Sequence, residues 1–388
     1  MIVIQIIFWL CVAAVFHSYV LYPFVLKLLA SKRSRPNGPN NTAKPTVSVI
    51  MSAYNEEAVI EEKIKSIVNT RYPGEKLEVI VGSDCSSDST NPIMERLAAA
   101  DQRIHFHEFF TRQGKSNIIN QLVEKSSGDI LILSDANVMF DENTLDELVS
   151  VFQDETIGLV DSNMINTNLK KEGISIQEKS YISREVIIKN REGLIWGSMM
   201  GPFGGCYAIR RNLFTPVPQN LLVDDFYICM KVIQQGFKTV NNLKAMVYED
   251  VSNDLSIEFR RKIRIATGDF QNLKIFSSLL LSRTPGVAFS FISHKVLRWL
   301  GPVFLLLALA MLIALSFGSV FYLVLLCIYL LSFLIPPLDF LLKKAGNHNL
   351  ILRFITHFYT MNLALLAGLF KSVKGVKTNV WKPTQRFQ

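Results

Sequence analysis

Acids, amides and a few basic side chains gather at distinct points of this 388-residue chain. Tyr54-Asn55-Glu56 closes one apolar run, Asp84 closes a second, and Asp135 with Asn137 closes another, GDILILSDANVMF. Further on come the glycine-rich stretch GSMMGPFGGCYAIRR from Gly197 to Arg211, the acid pair Asp224-Asp225, and EFRRKIRIATGDFQ with Arg261 and Arg264. Each has an ordinary explanation. Asn55-Glu56 can cap a helix, Asp84 with Ser86, Ser87 and Asp88 can form an Asp/Ser turn, and Asp135 can be a loop acid. Lys115 can be a first-turn helix lysine, Asp224 and Asp225 can answer a helix dipole, the glycines can make a tight turn, and the basic stretch can lie on anionic lipid. Each also has a chemical one. A carboxylate beside a reacting hydroxyl can take its proton. An acid with a nearby amide oxygen offers hard ligands to magnesium or manganese. Arginine pairs bidentately with phosphate, and glycines let a backbone approach a ligand closely.

What favours chemistry is where these groups fall. TVSVIMS (46–52), LEVIVGS (77–83), RIHFHEF (103–109) and DILILS (129–134) read as short strands bounded by turn residues. Helical patterns alternate with them over Glu56 to Asn69, Pro92 to Ala100 and Lys115 to Lys125. Alternating strands and helices predict a doubly wound, mostly parallel α/β sheet. Ligands of such sheets bind beyond the carboxyl ends of the strands. The polar groups sit at three such ends, and their convergence outweighs the ordinary explanation of each.

The flanks are of another kind. The chain is 49% hydrophobic yet 19% charged, so the two characters must be segregated along it. Ile2 to Leu26 and Trp299 to Leu338 contain no charged residue. About 20 apolar residues span a bilayer, which predicts one crossing in the first run and two in the second, turned at Gly318-Ser319. Phe354 to Phe370 is shorter and contains His357. The expected organisation is an N-terminal transmembrane helix (1–30), a basic linker (31–45), a cytosolic catalytic domain (46–275), an amphipathic interfacial segment (276–298), two transmembrane helices (299–338), a further transmembrane or re-entrant segment (350–371) and a basic tail (372–388). Lys27, Lys32, Arg33 and Arg35 give the positive-inside signal that places the polar block in the cytosol; a cleaved signal peptide would want a basic region before the apolar run. Five cysteines without paired spacing suggest neither a disulfide frame nor a zinc site. The net charge of +8 lies largely beside the apolar runs and in the tail, which fits membrane lipid rather than nucleic acid.

In their order, VSVIMSAYNEE, VIVGSDCSSDST, GKSNIINQ, ILSDAN, VDDFYICMKV and RRKIRIATG resemble the membrane-bound inverting glycosyltransferases of family 2, which include cellulose, chitin and hyaluronan synthases. The resemblance implies a GT-A-like sheet flanked by transmembrane helices, a UDP-sugar donor, a divalent cation (Mg or Mn), and a glycan or lipid-linked acceptor at the cell membrane. It implies that Ala53, Tyr54 and Glu56 line the nucleoside pocket, that Asp84 accepts the uracil N3–H, and that Lys115 lies near the nucleotide. By the same likeness Asp135 and Asn137 hold the metal and diphosphate, Asp225 is the catalytic base with Asp224 before it, and Gly204, Gly205 and Cys206 lie by the donor sugar and acceptor. Arg261 and Arg264 fall at the Gln-x-x-Arg-Trp motif of the processive enzymes and would face the departing diphosphate. Two departures stand out. Asn137 replaces the second acid of Asp-x-Asp, which predicts a weaker metal site, and Ile265 replaces the tryptophan that supports processive synthesis. WKPTQR in the tail resembles the Trp-x-x-Thr-x-Arg endings of related synthases. A processive polysaccharide synthase, a nucleotidyltransferase and a non-catalytic membrane scaffold that binds nucleotide-sugar stay open as alternatives, with export or synthesis proteins as possible partners. The nucleotidyltransferase would want a glycine-rich loop after the first strand, where Ala53-Tyr54-Asn55-Glu56 has no glycine.

Overall fold

The computed structural model describes residues 1–33, 44–167, 174–250, 254–376 and 378–380. Most of the linker, including Arg35, and the WKPTQR tail motif lie outside them. The chain divides into two compact units: Leu29–Asn168, Lys179–Val251 and Val376–Gln388 form one, and Met1–Leu28, Leu169–Glu178 and Ser252–Gly375 the other.

The first unit is built on one eight-stranded sheet. Its strands are β1 (Val47–Ala53), β2 (Leu77–Asp84), β3 (Ile104–Phe109), β4 (Ile130–Ser134), β5 (Val138–Phe140), β6 (Ile157–Thr167), β7 (Cys206–Arg210) and β8 (Lys238–Asp250), in the order β3-β2-β1-β4-β7-β6-β8-β5. The four strands expected from the sequence are all present, and β3-β2-β1-β4 run parallel. The sheet is mixed beyond β4: β7 lies antiparallel to both β4 and β6, and β5 antiparallel to β8. Val49, Met51, Val79, Val81 and Ile132 are wholly buried in its core, as strands covered on both faces should be.

Through residue 275 the helices are α1 (Ile2–Phe16), α2 (Tyr22–Ala30), α3 (Ile60–Val68), α4 (Thr90–Ala100), α5 (Lys115–Lys125), α6 (Thr144–Ser150), α7 (Ser175–Trp196), α8 (Asp224–Gln234) and α9 (Leu255–Ile275). The sequence pattern predicts α5 at its observed bounds. It places the start of α3 at Glu56, four residues early. The chain already turns at Glu56, whose carbonyl accepts the Val59 and Ile60 amides (3.0 and 2.9 Å), but Val59 at φ −132° leaves helical geometry, so the regular helix starts at Ile60. The Glu56 and Glu57 amides, which a first turn leaves without helical acceptors, donate to Thr90 Oγ1 (2.8 Å) and Asp88 Oδ2 (3.1 Å). Gly82 lets α5 settle on β2, since a side chain there would collide with Ile118 and Leu122.

The second unit is helical. Helices long and apolar enough to cross a membrane cover Ile2–Ala30, Val320–Lys344 and Leu350–Lys374, and the bent pair Val287–Trp299 and Gly301–Ser316 makes a fourth candidate. The expected turn at Gly318-Ser319 separates two of these helices. The last helix, marginal as a 17-residue apolar run, extends to 25 residues. It carries a polar inner face: Arg353 pairs with Asp339 (2.9 Å) and His357 Nε2 lies 2.8 Å from Glu178, which also binds Lys262 of α9 (3.0 Å). Gly368 admits the close approach of Ala266 and Thr267. Charged side chains in an apolar helix need such partners, because each unpaired one would be costly.

Candidate active site

Parallel pairing brings the carboxyl ends of β2, β1 and β4 to one edge of the sheet, so the polar groups that end each strand become neighbours. The turns after β1 and β2 are laced together. Asn55, with a φ of +54° that asparagine tolerates better than most residues, receives the Ser87 amide at 2.8 Å, and its own amide donates to Ser86 Oγ at 3.1 Å. Ala53 and Asp84 are buried and Tyr54 and Glu56 half-buried along this edge.

Asp84 holds the loop that leads into α5. Its Oδ1 accepts the Gln113 amide at 2.6 Å, and its Oδ2 accepts the Gly114 amide (3.0 Å) and Arg112 Nε (3.1 Å). A carboxylate has roughly four lone-pair sites, so about one acceptor position is left for a ligand. Arg112 also lies 3.3 Å over the Tyr54 ring, joining the first two strand ends. Sequence reasoning missed Arg112, whose contacts with Tyr54 and Asp84 exist only in the folded chain. Beside it a cavity of about 430 Å³ is lined by Arg112, Gln113, Asn117, Gln121, Asn220 and Asn379. Asn379 fits the notch left by Gly114, whose φ of +84° and missing side chain make room for it. A larger groove of about 990 Å³ lies by Lys44, Tyr72 and Asp129. That is the amino end of β1 and β4, away from the chemistry, and Lys44 is spent there on an ion pair with Asp146.

The next station is Asp135. Lys115, at the first position of α5, donates to Asp135 Oδ1 at 2.6 Å. Burial works against the Lys115 ammonium, but the carboxylates of Asp135, Asp224 and Asp225 outweigh it and raise its pKa, so Lys115 stays charged. Beneath the turn lies Lys63, fully buried, donating to Ser134 Oγ (2.9 Å) and the Val138 carbonyl on either side of Asp135-Ala136-Asn137. Burial lowers its pKa to about 7. Asn137 Nδ2 donates to Glu249 Oε1 on β8 at 3.2 Å, so its amide oxygen is the atom it offers a ligand.

Among the described residues no group of three His, Cys, Asp or Glu is arranged to hold a metal alone. The side chains that could hold one together with outside ligands are Asp135, one-third exposed, and Asn137 through its amide oxygen. These are hard oxygen donors, and they fit a magnesium or manganese ion that brings phosphate and water as its remaining ligands.

Because β7 is antiparallel to β4, it begins where β4 ends, with Cys206 opposite Ser134. The glycine loop before β7 is thereby drawn to the same edge: the Gly205 carbonyl accepts from the Asp135 amide (2.9 Å) and Ser134 Oγ (3.0 Å). Gly204, at φ +45°, lies against Asp225, and a Cβ there would come 2.5 Å from Asp225 Oδ2. Cys206 is wholly buried with its thiol pKa pushed up to about 12 by burial, so it packs rather than reacts. Asp224 and Asp225 open α8. Asp225 keeps some exposure, yet the protein crowds it: burial, then the neighbouring Asp224 carboxylate, raises its pKa to about 6, with Lys115 and Lys189 pulling the other way. Tyr207, buried on β7, is held protonated by burial and by Asp224 and Asp225. The fold thus gathers Ala53, Tyr54, Glu56, Asp84, Lys115, Asp135, Asn137, Gly204, Gly205, Asp224 and Asp225 on one unit. Arg261 and Arg264 lie on α9 in the helical unit, where Arg261 pairs with Glu258 at 3.4 Å.

Residues 48–216 match the family model described as glycosyl transferase family 2. The chain carries a glycosyltransferase family 2 domain. Relatives of this family 2 domain include the probable glycosyltransferase YdaM of Bacillus subtilis (24% identical over 66% of this chain and 63% of YdaM). The beta-monoglucosyldiacylglycerol synthase of Trichormus variabilis is 32% identical over 33% of this chain and 28% of its own length. The poly-beta-1,6-N-acetyl-D-glucosamine synthase of Staphylococcus aureus is 23% identical over 62% and 58%. The chain therefore spans less than two thirds of these relatives. In structure it is similar to the mannosyltransferase PcManGT of Pyrobaculum calidifontis, solved with GDP-Man and Mn2+: TM-score 0.71, 23% identity, covering 95% of this chain and 99% of that one. The GT-A-like fold expected from the sequence is the one the family 2 domain adopts.

Proposed function

We propose that this protein is a membrane-anchored inverting glycosyltransferase. It would transfer a sugar from a UDP-sugar to a glycan or lipid-linked acceptor at the cytosolic face of the cell membrane. The observation that carries this reading is Asp225: a carboxyl with its pKa raised to about 6, at a helix start, against the Gly204 turn and among the strand ends that face a ligand. A base is most effective when its pKa lies near the working pH. Asp225 takes the proton of the attacking acceptor hydroxyl, and Asp224 keeps that carboxyl from ionising too readily. Tyr54, Glu56 and Asp84 face the nucleoside, with Arg112 stacked on Tyr54 and Lys115 supplying positive charge beside Asp135. Asp135 and Asn137 would hold a divalent cation, which when bound neutralises charge developing on the departing diphosphate. Support for the membrane setting comes from the apolar helices and from the basic residues that follow α2.

The test is Asp225→Asn in the full chain. UDP affinity, measured by calorimetry, should stay close to wild type, while UDP release from UDP-glucose, UDP-N-acetylglucosamine and other donors with membrane lipid extract should be abolished. Wild-type turnover in that variant would overturn the assignment.

A further inference from the structure

Deep behind the glycine loop is a charged pair that the proposed chemistry does not use. Lys189 of α7 and Asp161 of β6 form an ion pair at 2.9 Å with side chains 2% and 0% exposed. A buried ion pair is a poor way to gain stability, because desolvation offsets most of its attraction. Its presence calls for another role, and its contacts indicate one. Both Asp161 oxygens accept the Phe203 amide (3.1 and 3.2 Å), and the Lys189 ammonium lies 4.7 Å over the Phe203 ring. Phe203 is thus held by backbone and side chain together, and the next two residues are Gly204, against Asp225, and Gly205, whose carbonyl takes the Asp135 amide. One turn further along α7, Glu192 fastens the other end of the loop, its Oε2 accepting the Met200 amide at 3.0 Å.

We infer that Asp161 and Lys189 are positioning residues for transfer: their buried pair clamps Phe203 and so sets the Gly204-Gly205 turn against the Asp225 carboxylate and the Asp135 backbone. This rests on Asp225 being the base. The charged and titratable groups that face Asp225 are Asp224 on its own helix, Lys115 from α5, Lys189 from α7 and Tyr207 from β7. Lys189 favours ionised Asp225, so the pair bears on the charge of the base as well as on its geometry. Asp161 is the residue that keeps Lys189 in place, since an ammonium without a counterion would not remain buried.

The deciding variant is Lys189→Met with Asp161→Asn, which removes both charges and leaves none stranded. It is made in the full chain in lipid nanodiscs beside Asp225→Asn. UDP affinity, thermal unfolding and the kcat of UDP release are measured on each. The double variant should bind UDP within about threefold of wild type and lose roughly tenfold or more in kcat, as expected for a misplaced base. A folded double variant with wild-type kcat overturns the inference. If the double variant does not fold, Phe203→Leu decides, since it removes the ring that Lys189 holds and leaves the buried pair intact. There kcat should drop about fivefold or more with UDP affinity retained, and full kcat overturns the inference. Wild-type turnover by Asp225→Asn would mean that the base assignment has failed and the clamp with it; inactive Asp225→Asn beside a fully active double variant means that only the clamp has failed.

Discussion

Replacing Gly204 with alanine tests the heart of the site with one methyl group. The added Cβ would lie 2.5 Å from Asp225 Oδ2 and 3.1 Å from its Cγ, whereas ordinary contact begins near 3.4 Å. The nearest atom is the tip of a rotatable side chain rather than backbone, so the carboxylate can swing away by roughly 1 Å. Relief of the clash is therefore cheap in stability and expensive in geometry. The backbone adds its own cost, because φ at Gly204 is +45° and an L-residue pays about 1–2 kcal/mol for left-handed conformation. Displacing a catalytic group by about 1 Å costs on the order of 100-fold in rate. The expected result is a variant that folds, loses no more than about 2 kcal/mol of stability, binds UDP as wild type does, and releases UDP about two orders of magnitude more slowly. Thermal unfolding, calorimetry with UDP and a continuous UDP-release assay measure these three quantities on one preparation. If Gly204→Ala turned over within threefold of wild type, the carboxylate beside Gly204 would not be the one that takes the proton.

Two further outcomes follow from the electrostatics of the edge. Transfer should fall away below about pH 6 as Asp225 gains its proton, and Lys115→Met, by removing a cation that favours the ionised carboxylate, should move this limb to higher pH; a profile flat down to pH 5 would contradict the assignment. Asn137→Asp should tighten metal dependence, read as a lower half-saturating concentration of manganese for UDP binding, without loss of transfer, because it restores a charged oxygen ligand where the amide now stands.

Much of the candidate site was legible because its parts sit at places local sequence can mark. Asp84, Asp135 and Asn137 each follow an apolar run of strand length, and Asp224-Asp225 precede a helical period, so their types and their positions on elements could be read together. Arg112, Lys63, Asp161 and Lys189 were not found that way. Arg112 acts through contacts with Tyr54 and Asp84, 58 and 28 residues away in sequence, and its loop carries no pattern that separates it from a solvated arginine. Lys63 stands in an α3 period that reads as a charged outer face, yet it is fully buried against Ser134 and Phe140. Asp161 did leave a trace, a single acid within the buried run of β6, but its partner and its purpose were not local.

By itself, the sequence determined the first four strands, the helices between them and the side chains that end them, since alternation, helical period, turn residues and apolar length are local properties of the chain; β5 to β8 and α7 carried no such clear local mark. It determined the mixed polar and apolar organisation as well, for a run of forty uncharged residues has few other uses. Only the tertiary structure decided that β7 enters antiparallel to β4, and that choice brings the Gly204-Gly205 turn to Asp135 and Asp225. Only it decided the charge state of Asp225, which depends on burial and on Asp224, Lys115 and Lys189. The physical reason is one of range: hydrogen-bonded periodicity acts over a few residues, whereas strand order and electrostatic environment depend on what the folded chain places side by side.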